Sequence, residues 1–522
     1  MVKSNSSVPL EQRPSPRARK ATLTNNSFID GKTFDGFRKV LSQEFSCAYV
    51  INLKGNARTS GERRRREGGN IFHNKIRVGV AIYFLIKKKT REKFRVYYDE
   101  IDDYVKDDDK LQWISSRKIQ NIPFEVVRPD KNSNWINIAD NDFENLLPLC
   151  GKDVKYGKSQ EAVFELYTNT IKTNRDEWVF DFDKKALINK TKYFITKFNY
   201  QIKTKKYEND DLDYSIKWSS TAKEYLYKRN KVKYDITKIN LILFRPFTQK
   251  YFYAEKIMCD RLTDNHYQIV GYDLRHPNSM IHISGLSSPK PFSLLGSKIL
   301  GDYHFIGDTQ CLPLYRYDED GNRLENITDW GLEQFVKQYK DNTITRQDIF
   351  HYVYAVLHNP AYRKKYELNL KRDFPRIPFY DDFRQWAAWG EQLMNLHINY
   401  ETVEPYQLRI RNYELGITGQ QYPKVRLKAD KATGIIILDS QTELRDIPDE
   451  AWDYKLGNRS ALEWILDQYR EKKPQDPTIA EKFNTYRFAD YKEQVIDLLK
   501  RVCAVSVQTM QIVREMENKV YS

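Results

Sequence analysis

The chain has 522 residues and a net charge of +15, since 86 lysines and arginines face 71 aspartates and glutamates. This length accommodates about two to four domains, and the absence of any apolar run of about 18 residues excludes a conventional membrane-spanning helix. The basic excess favours a polyanionic partner, most often nucleic acid, over the alternative of a generic basic protein. The five cysteines lie far apart and form no CxxC pair, which excludes a zinc ribbon and indicates reduced thiols in a cytoplasmic protein.

The first part of the chain predicts a leader followed by an α/β region. Residues 1–23 are rich in Ser, Pro and Arg and are predicted to be disordered. Between residues 24 and 110, a predicted helix over 28–45 is followed by the apolar strands AYVINL and VGVAIYFLI. This order is typical of the second half of a doubly wound α/β sheet, whose other strands would have to come first. We therefore predict that the sheet in this region is incomplete.

A run of four arginines lies in a predicted loop of this region, residues 54–70. The run comprises Arg63, Arg64, Arg65 and Arg66 and has glycines nearby. Arginine suits bidentate contacts with phosphate groups, so the run is a candidate for binding DNA phosphates. A solvated loop without a ligand is the alternative, and the sequence does not decide between them.

The remainder of the chain predicts a linker and two mixed regions. Residues 111–159 form the linker, residues 160–400 a region of helices and strands, and residues 401–522 a region of strands with a final long helix. The clearest pattern lies at 348–379, where apolar residues at helical spacing end at Asn359-Pro360. A proline disfavours the helical conformation at the residue before it, so the helix is predicted to end there.

Two short motifs supply further candidates for nucleic-acid contact. The first motif follows Ile171 and carries side chains that suit phosphates or base edges, with a hydrogen-bond network at a domain junction as the alternative. The second follows the stretch FRPF and combines a hydroxyl, an amide and an ammonium group. The candidate residues of the two motifs are Lys172, Asn174, Arg175, Thr248, Gln249 and Lys250.

Five stretches of the sequence, in a fixed order, resemble one protein family. They are IKTNRDEWV at 171–179, LFRPF at 243–247, DYHFIGDTQCLPLY at 302–315, DIFHYVYAVLHNPAYRKKYELNLKRDFPRIPF at 348–379 and IPDEAW at 447–452. They resemble the C-terminal part of bacterial Type ISP restriction-modification enzymes, which contain an adenine-specific DNA methyltransferase. Several ordered matches are more specific than one short motif. The resemblance implies an N-terminally truncated chain whose partner is double-stranded DNA.

The resemblance also implies a role for each region. Residues 24–110 would be the end of a Rossmann-like methyltransferase domain with its incomplete doubly wound sheet. Residues 160–400 would be an α+β target-recognition domain, and residues 401–522 a C-terminal spacer of strands and helices. Phe72 would stack on a flipped adenine, although an ordinary core phenylalanine is at least as good an interpretation.

The sequence lacks the motifs of the reactions that such enzymes perform. No Pro-Pro pair occurs, so the Asn/Asp-Pro-Pro-Tyr/Phe turn that holds an adenine for methylation is absent, as is a GxxxxGK[ST] motor motif. We therefore predict no catalytic, cofactor-binding or metal-binding residues, and S-adenosylmethionine would serve only the complete enzyme.

The predicted function is sequence-specific DNA recognition, as the specificity part of such an enzyme. One alternative is half of a split methyltransferase, active only with a separate chain that supplies the methyltransferase N-terminal half and the helicase or nuclease. A second alternative is a non-functional remnant, and a third is a structural protein that binds only proteins.

Overall fold

A computed structural model describes residues 18–59, 61–88, 93–130, 133–136, 141–204, 211–260, 262–286, 288, 290–413, 423–517 and 519. The strands are β1 (Ala18–Asn25), β2 (Cys47–Asn52), β3 (Val80–Lys87), β4 (Arg95–Glu100), β5 (Glu125–Val127), β6 (Leu147–Pro148), β7 (Thr168–Asn169), β8 (Phe180–Asp181), β9 (Ile239–Arg245), β10 (Thr248–Tyr253), β11 (Met280–Ile283), β12 (Leu294–Ser297), β13 (Gln310–Pro313), β14 (Tyr315–Tyr317), β15 (Arg323–Glu325), β16 (Arg376–Ile377), β17 (Arg409–Asn412), β18 (Val425–Asp430), β19 (Ile435–Asp439), β20 (Thr442–Arg445), β21 (Lys455–Leu456) and β22 (Arg459–Ser460).

The helices are α1 (Asp35–Glu44), α2 (Gly61–Glu67), α3 (Asp107–Ser116), α4 (Lys152–Lys155), α5 (Asp176–Val179), α6 (Lys184–Thr204), α7 (Ser220–Tyr227), α8 (Asp264–Val270), α9 (Asp329–Tyr339), α10 (Arg346–His358), α11 (Pro360–Lys365), α12 (Glu367–Leu370), α13 (Phe383–Ile398), α14 (Asp449–Asp453), α15 (Ala461–Gln468), α16 (Pro477–Lys482) and α17 (Lys492–Glu517). Within the part of the chain that the structure describes, none of these helices is long and apolar enough to cross a membrane.

The chain forms two compact units, and the first is built around a five-stranded sheet. This unit holds the described residues up to Asp142 together with two later segments, residues 290–291 and Tyr366–Asp373. Its strand order is β1-β3-β2-β4-β5, in which β2 and β4 are parallel and the other neighbours are antiparallel. All six residues of β2 are buried, as the apolar sequence of this strand predicts for a position in the middle of a sheet.

The mixed α/β character predicted for this unit is confirmed, whereas its assignment to an incomplete doubly wound sheet stays a prediction, since only β2 and β4 are parallel. Two predicted boundaries of this unit are wrong. The sequence predicts disorder to residue 23, yet residues from Ala18 onward pair with β3 because their backbone groups complete the edge of that apolar strand. The first part of the predicted linker, the described residues from 111 to 142, also belongs here, and within it β5 pairs with β4. Residues 1–17 of the predicted leader lie outside the described residues.

The second unit contains most of the remaining chain and has two hydrophobic cores. One core lies around the three-stranded sheet β8-β10-β9 and helix α6, and includes Trp178, Phe194 and Phe252. The other lies around the four-stranded sheet β17-β20-β19-β18 and helices α15 and α17. Leu243 and Leu295 share this second core with residues beyond 400. The predicted boundary at residue 400 therefore falls inside one compact unit.

The helical block predicted at 348–379 is confirmed. Helix α10 ends at His358, and Asn359 has φ −62° and ψ 121°, the extended conformation that a following proline favours. Helices α10 and α13 pack closely at Gly390. A Cβ atom added there would lie only 1.8 Å from the carbonyl oxygen of His351. The predicted β-rich region after residue 400 and the long final helix are also confirmed, as strands β17–β20 and helix α17.

Candidate nucleic-acid interface

The motif at 172–175 forms a tight turn that leads into helix α5. Asn174 has a φ of +55°, a left-handed conformation that asparagine adopts more readily than most residues. Thr173 stabilises the turn, because its hydroxyl hydrogen-bonds the Asp176 carboxylate and accepts a hydrogen bond from the Arg175 amide at 3.2 Å. The Asn174 side chain is exposed at the tip of this turn. Its amide group can therefore both donate to and accept from a ligand.

The turn forms one wall of a cleft of about 840 Å³, which we call the Lys172 cleft. The segment 214–223 contributes basic and aromatic side chains to the cleft, and residues between β12 and β13 and at the start of α16 complete it. Tyr214 is 65% exposed. The cationic and aromatic lining residues are Lys172, Arg175, Trp178, Tyr214, Lys217, Trp218, Lys223, Tyr303 and His304. Cations attract phosphate groups, and exposed rings can pack against bases.

The acidic residues of the Lys172 cleft are occupied by structural contacts. Both carboxylate oxygens of Glu177 accept backbone hydrogen bonds, from Gln475 and Asp476 at 2.8 Å. The Asp476 carboxylate accepts from the Trp178 indole at 2.7 Å. Burial raises the pKa of Asp302 to about 7, so part of its charge is absent at neutral pH despite its contact with Arg245. These contacts fix the positions of the carboxylates without removing the charges of Glu177 and Asp476, so the basic side chains share the cleft with acidic ones.

Two lysines of the cleft differ in how strongly they are held. The Lys172 ammonium lies 3.8 Å from the Asp260 carboxylate and 5.6 Å from the centre of the Tyr303 ring. Lys217 makes no ion pair within the part of the chain that the structure describes. Because a phosphate group would not have to displace an internal partner, Lys217 is the more available of the two.

Arg175 lies beside the cleft but is buried against the hydrophobic core. The residue is 1% exposed, and its guanidinium carbon lies 5.1 Å from the centre of the Phe194 ring. None of its guanidinium nitrogens has a hydrogen-bond partner among the described residues. Burial lowers the pKa of Arg175 to about 10. This position argues against the predicted DNA contact and favours the structural alternative, since the side chain would have to leave the core to reach a ligand.

The second predicted motif is likewise occupied within the fold. Thr248 is fully buried at the start of β10, and its hydroxyl donates to the Pro246 carbonyl at 3.3 Å. The Gln249 amide donates to the Tyr400 hydroxyl at 3.1 Å and to Glu401 at 2.7 Å. The prediction that Thr248 faces DNA is therefore wrong for this conformation, because no part of its side chain reaches the surface.

Lys250 is the third residue of that motif and is sandwiched between aromatic rings. Its ammonium lies 4.3 Å from the centre of the Phe182 ring and 4.2 Å from that of Phe244. Burial and the neighbouring Lys190 lower the pKa of Lys250 to about 7. A lysine that is only partly charged at neutral pH and covered by rings is a poor phosphate ligand, so the structure argues against the predicted DNA contact.

The four arginines at 63–66 lie in helix α2, and the prediction of a loop there is wrong. The segment 61–67 contains only one glycine at its first position and otherwise good helix-forming residues, which favours a helix. Arg64 donates to the Gly68 carbonyl at 2.6 Å, Arg65 is exposed, and the Arg66 guanidinium lies 4.0 Å from Asp103. Phosphate binding by Arg63–Arg66 stays a prediction.

Phe72 packs against other apolar side chains, as a core residue does. Its ring is partly buried and packs against a small cluster that includes Ile51 and Val80. This packing favours the alternative of an ordinary core phenylalanine over a base-stacking ring. One residue further on, the His73 ring hydrogen-bonds Asp107 at 2.8 Å, with Asp108 close by.

Sequence reasoning missed most of the second wall of the Lys172 cleft. Tyr214, Lys217, Trp218 and Lys223 are separated from the motif by about forty residues, and only folding brings them to it. The signal that could have found them is the interleaving of basic and aromatic residues in DYSIKWSSTAKEYLYK, since that pattern is typical of surfaces that bind nucleic acids.

Comparison with known proteins identifies the family. A family model described as the Type ISP C-terminal specificity domain matches residues 162–498, a region that includes the whole Lys172 cleft. The chain belongs to the Type ISP specificity domain family. The resemblance inferred from the five sequence stretches is thereby confirmed. No curated protein sequence matches the chain.

Solved structures of similar proteins extend over nearly the whole chain. A cryo-EM structure of a DrdV–DNA complex is 43% identical with a TM-score of 0.90, covering 96% of this chain and 51% of that one. A nuclease-deletion mutant of the Type ISP restriction-modification enzyme LlaGI, in complex with a DNA substrate mimic, is 31% identical with a TM-score of 0.81, covering 97% and 47%. The ATP-dependent Type ISP enzyme LlaBIII bound to DNA is 27% identical with a TM-score of 0.83, covering 97% and 33%. The chain thus spans about half, or less, of each of these proteins.

Proposed function

We propose that this chain recognises a specific sequence in double-stranded DNA, as the specificity part of a Type ISP restriction-modification enzyme. The observation that carries the proposal is the Lys172 cleft, where three lysines, the exposed Tyr214 ring and the partly buried Trp218 ring converge inside the region that matches the specificity-domain model. The similar proteins DrdV, LlaGI and LlaBIII were each solved with DNA or a DNA mimic, which supports DNA as the partner of this chain.

The residues of the cleft divide into two roles in this proposal. Lys172, Lys217 and Lys223 hold phosphate groups, which supplies affinity that depends on salt but not on sequence. Asn174 reads a base edge, because its amide can form a pair of hydrogen bonds with adenine in the major groove. Trp218 supplies an apolar surface beside them. Arg175, Thr248 and Lys250 support the fold instead of touching DNA.

We further propose that the first unit belongs to the adenine methyltransferase part of such an enzyme, and that the protein works in the cytoplasm. The Asn52 side chain of this unit is not available to S-adenosylmethionine or a reacting adenine. At the end of β2, the Asn52 amide donates to the Tyr98 hydroxyl at 3.0 Å, and its oxygen accepts from Asn26 at 3.0 Å, so its polar atoms are already occupied.

The proposal is tested by selecting DNA from a randomised duplex pool. The purified chain is mixed with the labelled pool at two salt concentrations, binding is followed by fluorescence anisotropy, and the bound fraction is sequenced. We expect salt-sensitive binding and one enriched sequence that contains adenine. Salt-sensitive binding without any enriched sequence would contradict sequence recognition, and a lack of binding at either salt concentration would contradict DNA binding altogether.

A further inference from the structure

A second basic cleft lies in the C-terminal part of the chain. It has a volume of about 710 Å³ and is formed by the edge strand β18 on one side and by the segments after α15 and before α17 on the other. We call it the β18 cleft. Five of its ten lining residues are cationic: Lys424, Arg426, Lys428, Arg470 and Arg487. Glu471 and Asp490 are its acidic lining residues.

The cations of the β18 cleft are not neutralised within the fold. Within the part of the chain that the structure describes, none of the five forms an ion pair, although 414–422, just before the strand, lies outside that part. Arg470 and Arg487 donate to backbone carbonyls, of Leu427 at 3.1 Å and Tyr486 at 2.7 Å, which fixes their positions without cancelling their charge. Glu471 is engaged by the Phe488 amide at 2.8 Å.

Strand β18 and the residue before it bring three of these charges to the surface. Lys424, Arg426 and Lys428 reach solvent, whereas Leu427 between them is fully buried. The strand has an irregular register between Val425 and Lys428, and an irregular, charged edge strand is a poor template for pairing with another β-strand. A partner that adds a strand at this edge is therefore disfavoured.

Protection against strand pairing explains lysines on an edge strand, but it does not explain the whole cleft. Arg470 and Arg487 come from other segments and line the same space. Five cations face only two carboxylates, Glu471 and Asp490, on this concave surface. Such an excess suits an extended polyanion better than a single small anion, because like charges repel unless several negative groups lie among them. Arginine in particular matches the geometry of phosphate oxygens.

We infer that the β18 cleft binds the phosphate backbone of duplex DNA without reading its sequence, at a place separate from the Lys172 cleft. This inference rests on the proposed function in that DNA is the partner, but it does not require that any base be recognised. The two clefts share no lining residue. The β18 cleft therefore contributes affinity and the Lys172 cleft contributes both affinity and discrimination.

The test replaces the three cationic residues at and just before strand β18 together, as Lys424→Gln, Arg426→Gln and Lys428→Gln in the full chain. The matched control removes three lysines that line neither cleft and form no described ion pair, as Lys158→Gln, Lys337→Gln and Lys455→Gln. The probes are a random duplex and a duplex that carries the enriched sequence. Affinity is measured over a series of salt concentrations, and thermal melting shows whether both variants are folded.

Removal of three phosphate contacts from duplex DNA lowers the slope of log affinity against log salt by about 2 to 3. We expect this decrease in slope for the β18 variant on both probes, with an unchanged preference for the enriched sequence. The slope of the control should decrease only by the smaller amount that follows from its lower net charge. Equal slopes for the variant and the control would overturn the inference while leaving sequence recognition intact. Loss of the sequence preference alone would also overturn it.

Failure of the proposed function gives a different result. If the unaltered chain binds DNA without any sequence preference but the β18 variant still loses slope, the inference stands and sequence recognition fails. If the unaltered chain binds neither probe, both the inference and the proposed function are overturned. An acidic protein surface is then the next ligand to test at the β18 cleft.

Discussion

At the scale of single residues, Asn174 offers the sharpest test of base reading. Asn174→Gly keeps the left-handed backbone, which glycine adopts without strain, and removes only the amide. We expect discrimination at one base pair of the enriched sequence to fall by about 1–3 kcal/mol, with an unchanged salt dependence. Competition binding with single-base variants of that sequence measures the effect. Asn230→Gly, at an exposed site outside the cleft, serves as the control and should leave every position unaffected.

Lys250 makes the stability of the fold depend on pH. Burial lowers its pKa from the ordinary 10.5 to about 7, so between these values the unfolded chain binds more protons than the folded chain. The stability therefore rises with pH in this window, and the full cost of burying the charge is present below about pH 7. Lys250→Met removes the charge and this dependence.

The expected result for Lys250→Met is a stability advantage over the unaltered chain at low pH that shrinks as the pH rises. Urea unfolding at about pH 7 and about pH 10 measures this difference. Identical pH dependence in the two proteins would show that Lys250 is solvated and charged in the folded state, contrary to its packing between Phe182 and Phe244.

The positions of the predicted site residues show what one sequence can reveal at this scale. The polar types of Lys172, Asn174, Arg175 and Thr248 are legible in the sequence, but the directions of their side chains are not. Arg175 and Thr248 turn inward because of packing with residues far along the chain, such as Phe194 for Arg175. Burial of this kind depends on tertiary neighbours, which residue type and local spacing do not report.

At the scale of elements, the contact between α10 and α13 depends on the lack of a side chain at Gly390. A Cβ atom there would lie 1.8 Å from a backbone oxygen, which cannot rotate away. Gly390→Ala should therefore force the helices apart and destabilise the second unit by about 1–3 kcal/mol. Denaturant unfolding followed by tryptophan fluorescence measures the loss.

Gly151→Ala is the matched control in the same unit, because no atom lies within 4 Å of the added Cβ. It sits at the N-terminal cap of α4, where alanine is a poorer cap than glycine, so we expect a loss of about 0.5–1 kcal/mol, at or below the lower end of that expected for Gly390→Ala. A similar loss in both variants would mean that the close approach of α10 and α13 does not limit the packing.

The elements also show why sequence reasoning succeeded in some places and failed in others. Helix α10 and helix α17 carry long apolar periodicity, so their type and most of their extent were predictable. The partners of β1 and β5 were not, because strand pairing joins residues far apart and leaves little local trace. Helix α2 is harder to predict, because the charge of its four arginines suggests a solvated loop although arginine has a high helix propensity.

At the scale of the whole molecule, the first unit depends on a segment that the chain supplies more than 200 residues later. The Tyr366 hydroxyl donates to Asp142 at 2.7 Å, and the Arg372 guanidinium donates to the Ile136 carbonyl at 2.9 Å. Tyr366 is fully buried. A fragment that ends at residue 142 loses these contacts and exposes the surface that they cover.

We therefore expect the fragment of residues 1–142 to melt at a lower temperature and less cooperatively than the same unit in the full chain. A synthetic peptide of residues 366–373 added in trans should raise its melting temperature, whereas a peptide with Tyr366→Ala and Arg372→Ala should not. Circular dichroism measures both effects. A fragment that melts cooperatively and does not respond to the peptide would show that the late segment is dispensable.

The return of Tyr366–Asp373 to the first unit has a consequence for exchanging DNA specificities between related proteins. A chimera joined at residue 142 would take this segment from the wrong parent and place foreign side chains against Asp142 and Ile136. A functional graft has to carry over the parent's own version of these eight residues along with residues up to 142. We expect the same constraint to act on the gene, because a simple crossover between these two distant parts would separate residues that have to match.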